Sequence, residues 1–194
     1  LAKQDKEGRF IIWFTSDEHY FHENLEEGRS IIKYAKRPFA TIEEMNAAII
    51  ARHNEVVKDD DEVWHLGDFV LGNDSVDKYV KIVNQLKGRH HFLYGSHDRW
   101  MEHILGKGAE NLPYIREIKI EKIRITLCHY AMRRWPHSHH GSWQLYGHSH
   151  GELPPIGKQY DVGVDNNNFY PVSFEFLKNF MKDRIIEPNH LDNK

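Results

Sequence analysis

Three short apolar runs separated by two helical stripes constrain this chain more than any other feature. Phe10-Ile11-Ile12-Trp13-Phe14 is a continuous run of β-branched and aromatic residues, the composition of a strand buried on both faces. Glu62 to Leu66 and His91 to Tyr94 read as the second and third strands. Between the first two, Thr41 and Glu44 form a capping box, and Ile42, Met45, Ile49 and Ile50 fall near helical spacing, which predicts a helix to about Arg52. Between the second and third, Ser75 is placed to cap a helix carrying Val76, Tyr79, Val80, Val83 and Leu86, closed by Gly88. Strand, helix, strand, helix, strand is the order of a parallel sheet with crossover helices.

Beyond Asn111-Leu112-Pro113 the pattern changes. Tyr114 to Ile120 and Ile123 to Cys128 read as strands separated by Glu121-Lys122 alone, too short for a parallel crossover and so a hairpin. Trp143 to Tyr146 and Tyr160 to Val164 add two strands, and Ser173 is placed to cap a closing helix to about Met181. The expectation is an α/β fold with two sheets packed face to face and helices outside. It occupies one domain over residues 10–182, with a frayed end at 1–9 and a tail at 183–194.

Composition removes several functional classes. With 29 acidic against 26 basic residues the formal charge is −3, which argues against a broad non-specific nucleic-acid footprint. No apolar run approaches the roughly 18 residues of a membrane span, and residues 1 to 9 are polar, without the pattern of a signal peptide. The single cysteine, Cys128, cannot form an internal disulfide or a thiolate zinc knuckle; beside His129 at a strand end it reads as a small buried apolar residue. The outlying number is 15 histidines, histidine being the commonest metal ligand among side chains.

The chemically loaded segments all stand just after a predicted strand. Asp17-Glu18-His19 follows the first, Gly67-Asp68 the second, Gly95-Ser96-His97-Asp98 the third, His129 the fifth and Gly147-His148-Ser149-His150 the sixth. Ligands of open α/β sheets bind outside the carboxyl ends of the strands, so five separate segments are expected to converge on one rim. Carboxylates and imidazoles without thiolates suit divalent Mn, Fe or Zn, and one bridging carboxylate between two sets of histidines suits two ions. No Gly-x-x-x-x-Gly-Lys-Ser/Thr phosphate loop competes with this reading.

The ordered motifs D-x-H, GD, G-x-H-D, H and G-H-x-H resemble those of the calcineurin-like metallophosphoesterases, and most closely the compact bacterial and phage-type branch. Thr15-Ser16-Asp17 with His22 and Asn24, Arg37-Pro38-Phe39, Trp64-His65-Leu66-Gly67-Asp68, and Val162-Gly163-Val164-Asp165 before Pro171-Val172-Ser173 are similar to its other landmarks. The resemblance implies a four-layer αββα sandwich of two mixed β-sheets flanked by helices. It implies that Asp17, His19 and His150 hold a first metal, that Asp68 bridges, and that His129 and His148 hold a second. It also implies that His97 faces the substrate and steadies a phosphate oxygen or protonates the leaving alkoxide. The family carries Asn, a side-chain oxygen ligand of the second metal, where this chain has Ser96. Serine is a shorter and poorer neutral donor, so a weaker second site is expected.

The function implied is a cytoplasmic, metal-dependent phosphoesterase with two divalent ions (Mn, Zn or Fe). It acts through a metal-bridging hydroxide on a small phosphoester, with a lean towards diesters over monoesters. Tyr130 and Arg133, close behind His129, are candidate substrate contacts, as is Arg37, whose bland alternative is a surface ion pair. His22 and Asn24 are placed either to touch substrate or to cap a helix starting near Asn24. His65 reads as a hydrogen-bonded core histidine, and the run His137-Ser138-His139-His140 as a loop. Two other classes stay open: a metal-binding scaffold weakened by Ser96, and a nuclease, which the charge balance does not favour.

Overall fold

The computed structural model describes residues 10–24, 29–71, 75–98, 101 and 113–185. Its elements in chain order are β1 (Ile12–Thr15), β2 (Glu23–Asn24), β3 (Arg29–Ser30), α1 (Ile31–Tyr34), α2 (Ile42–Val56), β4 (Glu62–His65), α3 (Ser75–Val83) and β5 (Arg89–Phe92). There follow β6 (Ile115–Ile120), β7 (Ile123–Cys128), β8 (Trp143–Tyr146), β9 (Gln159–Asp161), β10 (Val172–Ser173) and α4 (Phe174–Lys182).

These strands form two mixed four-stranded sheets, ordered β10-β1-β4-β5 and β6-β7-β8-β9. In the first, β1, β4 and β5 run parallel and β10 joins antiparallel. In the second, the β6–β7 hairpin turns at Glu121-Lys122 as expected, with Ile120 opposite Ile123, and β7, β8 and β9 are parallel. Side chains alternate across each strand. Ile125 and Leu127 of β7 and Trp143 and Leu145 of β8 therefore share a core with Phe14, Leu66 and Leu93 from the first sheet. Phe174, Leu177 and Met181 of α4 close the same core. Each such fully buried aliphatic or aromatic side chain contributes roughly 1.5–3 kcal/mol.

A second core binds the other helices to the first sheet. It joins Ile31 of α1, Ile42, Met45 and Ile49 of α2, Ile82 of α3 and Phe69. The α2 start is capped as the sequence predicts: Thr41 Oγ1 accepts the Glu44 amide at 3.2 Å, and the Glu44 carboxylate reaches back to the Ala40 amide at 2.8 Å. The helix runs one turn past the predicted end, to Val56. Ser173 caps α4 by accepting the Phe176 amide at 3.1 Å. The outer face of the second sheet is covered by the loop after β7, where the buried Gln144 and Gln159 side chains donate to the Tyr130 and Met132 carbonyls at 2.9 and 2.7 Å.

Three expectations change. No helix begins at Asn24, because Glu23–Asn24 pairs antiparallel with Arg29–Ser30 and Ser30 caps the short α1 instead. The first strand is not buried along its length, since Phe10 is 47% exposed and burial is complete only from Phe14. Residues after Asp161 leave the sheet, and Val164 starts a 3-10 turn. The predicted frayed end 1–9, most of the tail 183–194 and the Ser75 side chain lie outside the described residues. No described helix is long and apolar enough to cross a membrane.

Candidate metal centre

The carboxyl ends of β1, β4, β5, β7 and β8 meet at one rim, and each delivers its loaded loop there. Two groups of side chains have ligand atoms within 4.8 Å of one another: Asp17 with His19 and His150, and Asp68 with His129 and His148. Five of these six residues, all but His129, have positive φ, between 45° and 65°. That left-handed conformation costs a non-glycine residue roughly 1–2 kcal/mol. It persists because the loops stay hydrogen-bonded after the strands end: the amides of Asp17 and His19 donate to the carbonyls of Gly67 and Asp68 at 3.0 and 2.9 Å. The bend turns each side chain back over the strand ends. Backbone approach is so close that a Cβ at Gly147 would collide with Ser16 Oγ and Asp17 Oδ2, which accounts for glycine at that position.

Asp68 lies between the two groups. Its Oδ2 is 3.6 Å from His19 Nε2 and 3.3 Å from His129 Nε2, and both nitrogens are buried without a hydrogen-bond partner among the described residues. Buried imidazole nitrogens left unpartnered around a shared carboxylate fit metal ions bound there. The other ring nitrogens are committed. His19 Nδ1 lies 3.0 Å from His22 Nδ1, His129 Nδ1 3.0 Å from the Leu66 carbonyl, and His150 Nδ1 2.7 Å from Asp165 Oδ2. Such partners fix ring orientation and leave the opposite nitrogen to the metal.

Electrostatics follow from burial and crowding. Burial pushes Asp17 up to about 7 despite the opposing pull of His129 and His150. Burial would raise Asp68 as well, but His129, His19 and the His97 amide outweigh it and hold its carboxyl well below the usual range. Desolvation lowers His19 and His148 and keeps their imidazoles neutral, the form that binds metal. Asp98 is pushed up to about 6 by burial and by neighbouring Asp68, while accepting the amides of Asp68, Phe69 and Gly95 at 2.6, 3.1 and 2.8 Å.

The remaining expected site residues divide. Ser96 and His97 are exposed at the rim; the Ser96 hydroxyl donates to Asp68 Oδ2 at 2.9 Å and the His97 amide to Asp68 Oδ1 at 2.9 Å. The His97 ring stands 5.6 Å from that of His19 and 5.7 Å from that of His22. Tyr130 is 44% exposed, its ring edge against His129 and His148, and Arg133 is exposed on the same loop. The Asn24 side chain lies outside the described residues.

Arg37 is a correction. It is buried, and its guanidinium donates to both oxygens of Asp165 at 2.8 Å, to the Asp17 and Glu18 carbonyls at 2.6 and 2.9 Å, and to Met45 Sδ at 3.3 Å. No N–H is left for a phosphate. Arg37 instead fastens the Asp17–Glu18 backbone to Asp165, and through it to His150.

His65 is the core histidine expected, with Nδ1 2.6 Å from Glu18 Oε1 and Nε2 2.9 Å from His90 Nδ1. The residues that sequence reasoning left out of the site are Asp165, Asp98 and Glu18. Asp165 had a signal in Val162-Gly163-Val164-Asp165, an acid set just after a predicted strand.

No protein-family model matches the chain. The uncharacterized protein MJ1445 of Methanocaldococcus jannaschii is 32% identical over 173 residues, covering 86% of this chain and 88% of that protein. The Gene 66 protein of Mycobacterium phage L5 is 32% identical over 101 residues, 52% of this chain and 44% of that protein. The solved structure of AQ665 from Aquifex aeolicus, a protein of unknown function, superposes with a TM-score of 0.66 at 23% identity, covering 89% of this chain and 100% of that one.

The archaeal relative is similar over nearly its whole length, and AQ665 shares the fold. The five loaded segments stand at one rim in the order the sequence predicts. The chain belongs to the same family as MJ1445. Its two mixed sheets and the helices around them form an α/β sandwich, and its clustered Asp and His side chains could hold divalent metal.

Proposed function

We propose that the chain is a phosphoester hydrolase that uses two divalent ions and prefers phosphodiesters. The observation that carries this reading is Asp68, whose Oδ2 lies within 3.6 Å of the two partnerless nitrogens His19 Nε2 and His129 Nε2. Asp17, His19 and His150 would hold one ion, Asp68, His129 and His148 the other, with Asp68 shared. Mn, Zn and Fe all suit these donors. Bound there, the ions would acidify a water and neutralise charge on the phosphate.

The chain's own residues supply the rest. Arg37 and Asp165 hold the Asp17 loop and the His150 ring in place, so the ligands need not reorganise as the substrate arrives. His97, exposed beside His19 and His22, stands where it can protonate the departing alkoxide. His97→Ala should then lower turnover of alkyl esters by about 10²-fold or more while sparing activated aryl esters; equal losses on both would remove His97 from that role.

The reading is tested with metal-stripped protein given Mn²⁺, Zn²⁺ or Mg²⁺ and assayed on bis(p-nitrophenyl) phosphate and p-nitrophenyl phosphate. Metal-dependent release, faster on the diester, is expected. One observation favours a second reading: where the resemblance expects asparagine the chain has the shorter Ser96, whose hydroxyl lies against Asp68 Oδ2 at 2.9 Å. Turnover absent with every metal but restored by Ser96→Asn would make the chain a metal-binding member with lost activity.

A further inference from the structure

Beside the metal centre, on the His148–His150 side, opens a cleft of about 560 Å³ lined by Tyr34, Lys36, His148, His150, Glu152 and Leu153 among others. That volume is within the range of small-molecule sites. Two of its walls are largely apolar. Tyr34 is 76% exposed and Leu153 is 47% exposed, leaving apolar area in water beside a polar metal rim. The Tyr34 ring meets His150 edge-on at 5.7 Å between centroids. His150 is itself oriented by Asp165, so the tyrosine is tied to the centre rather than to the bulk of the fold.

Lys36 carries the second observation. It has φ of +53° at the end of α1, where the Arg37 amide reaches back to the Ile32 carbonyl at 2.8 Å. Glycine is the usual occupant of this position in a helix-ending motif, since a Cβ there is strained. A long cationic side chain is kept instead, and it lines the cleft. Strain retained at a pocket wall points to use of the side chain.

We infer that this cleft is a specificity subsite for the alcohol portion of the ester, taking a flat aromatic ring, of an aryl group or a nucleobase, along the Tyr34 and Leu153 walls. The assignment rests on the phosphoester reading above, which would place the phosphate over His148 and His150. A ring in this cleft stacks on the exposed tyrosine and covers Leu153. Lys36 and Glu152 supply a cation and an acceptor for polar groups on its edge. Phosphoesters of small aliphatic alcohols would leave both walls in water and bind less well.

The test is equilibrium binding of phenylphosphonate and methylphosphonate to the Mn²⁺-loaded protein, since the C–P bond of both resists hydrolysis. The wild type is expected to favour phenylphosphonate by about tenfold, the scale of one ring stacked on an aromatic side chain. Tyr34→Ala should abolish most of that preference without changing the affinity for methylphosphonate, and Tyr34→Phe should keep it. The 5′-phosphonate analogues of adenosine 5′-monophosphate and ribose 5-phosphate on the same variants separate a nucleobase site from an aryl site: a Tyr34-dependent preference for the nucleoside phosphonate assigns the base. Equal binding of both phosphonates, or a preference that survives Tyr34→Ala and Leu153→Ala, overturns the subsite and leaves the hydrolase reading standing. Failure of both phosphonates to bind overturns both readings. A Tyr34-dependent preference in a protein without turnover keeps the subsite and removes the hydrolase.

Discussion

The two ligand groups use the same residue types and differ in what stands behind them. In the group of Asp17, His19 and His150, each imidazole is backed by another side chain: His22 behind His19, and Asp165 with Arg37 behind His150. Asp17 is buried and accepts the His148 amide on both oxygens, at 3.0 and 2.9 Å. In the group of Asp68, His129 and His148, His129 is buried against the Leu66 carbonyl, but His148 is exposed, with Tyr130 laid against it. The position that would add a fourth protein donor is Ser96, whose short side chain hydrogen-bonds Asp68. The contrast teaches that ligand identity sets which metals fit, while the residues behind the ligands set how firmly each is held. The first half is pre-arranged and more enclosed; the second opens to solvent at His148.

The contrast can be broken or sharpened by substitution, starting with the residue the halves share. Asp68→Asn removes the charge common to both, and turnover should fall by about 10³-fold or more, as expected when several kcal/mol of metal-borne stabilisation is lost. Steady-state assay with excess Mn²⁺ checks this, and a modest loss would mean the halves do not depend on a shared carboxylate. Next comes Asp165→Asn, which keeps the side-chain shape but weakens the hold on His150 and Arg37. First-half affinity should drop by roughly 10–100-fold with the second half unchanged, read by competitive metal titration. Equal losses in both halves would erase the distinction. Ser96→Asn should do the reverse, tightening only the second half by about tenfold, and unchanged second-half affinity would show that the serine is not its weak point.

A smaller effect concerns His53, whose ring stacks on that of His65. His53, buried and set against the Lys87 carbonyl at 2.8 Å, is held down to about 3 by burial, against 6.5 when free. Its folded pKa is depressed, so below about 6.5 the unfolded chain takes up a proton that the folded chain refuses. Its contribution is therefore present above that pH and lost as pH falls towards 3. Buried acids such as Glu18, pushed up to about 8 by burial, titrate in the opposite sense, so the difference between wild type and His53→Gln is the useful quantity. Chemical denaturation between pH 7.5 and 4 should show the wild type losing up to about 1.4 kcal/mol per pH unit relative to the variant. Parallel curves would mean that folding leaves the pKa of His53 unshifted.

Much of this arrangement was legible before the structure, because it is local. The β6–β7 hairpin and β8 follow from apolar runs and a two-residue gap, and the Thr41 and Ser173 caps from side chains acting within one helical turn. The clustering of the six Asp and His residues was legible because each stands a residue or a few beyond a strand end. What was not legible is what distance in sequence conceals. Arg37 reads as a free phosphate-binding cation until Asp165, 128 residues away, is seen to take it. His22 reads as a substrate contact, yet its ring nitrogen lies against that of His19. The left-handed backbone at Asp17, His19, Asp68, His148 and His150 falls on residue types that tolerate it, but its placement is fixed by pairing between neighbouring loops. The expected helix near Asn24 failed for a similar reason: the capping serine is Ser30, after a strand pair that two-residue strands do not announce.

The central claim is a two-ion centre with unequal halves joined by Asp68, and calorimetric titration of the metal-stripped protein with Mn²⁺ tests it most directly. Two ions per chain, bound in a tighter and a weaker step, with the tighter step lost selectively in Asp165→Asn, is the predicted result. A single ion per chain, or two of equal affinity that Asp165→Asn weakens alike, would contradict it.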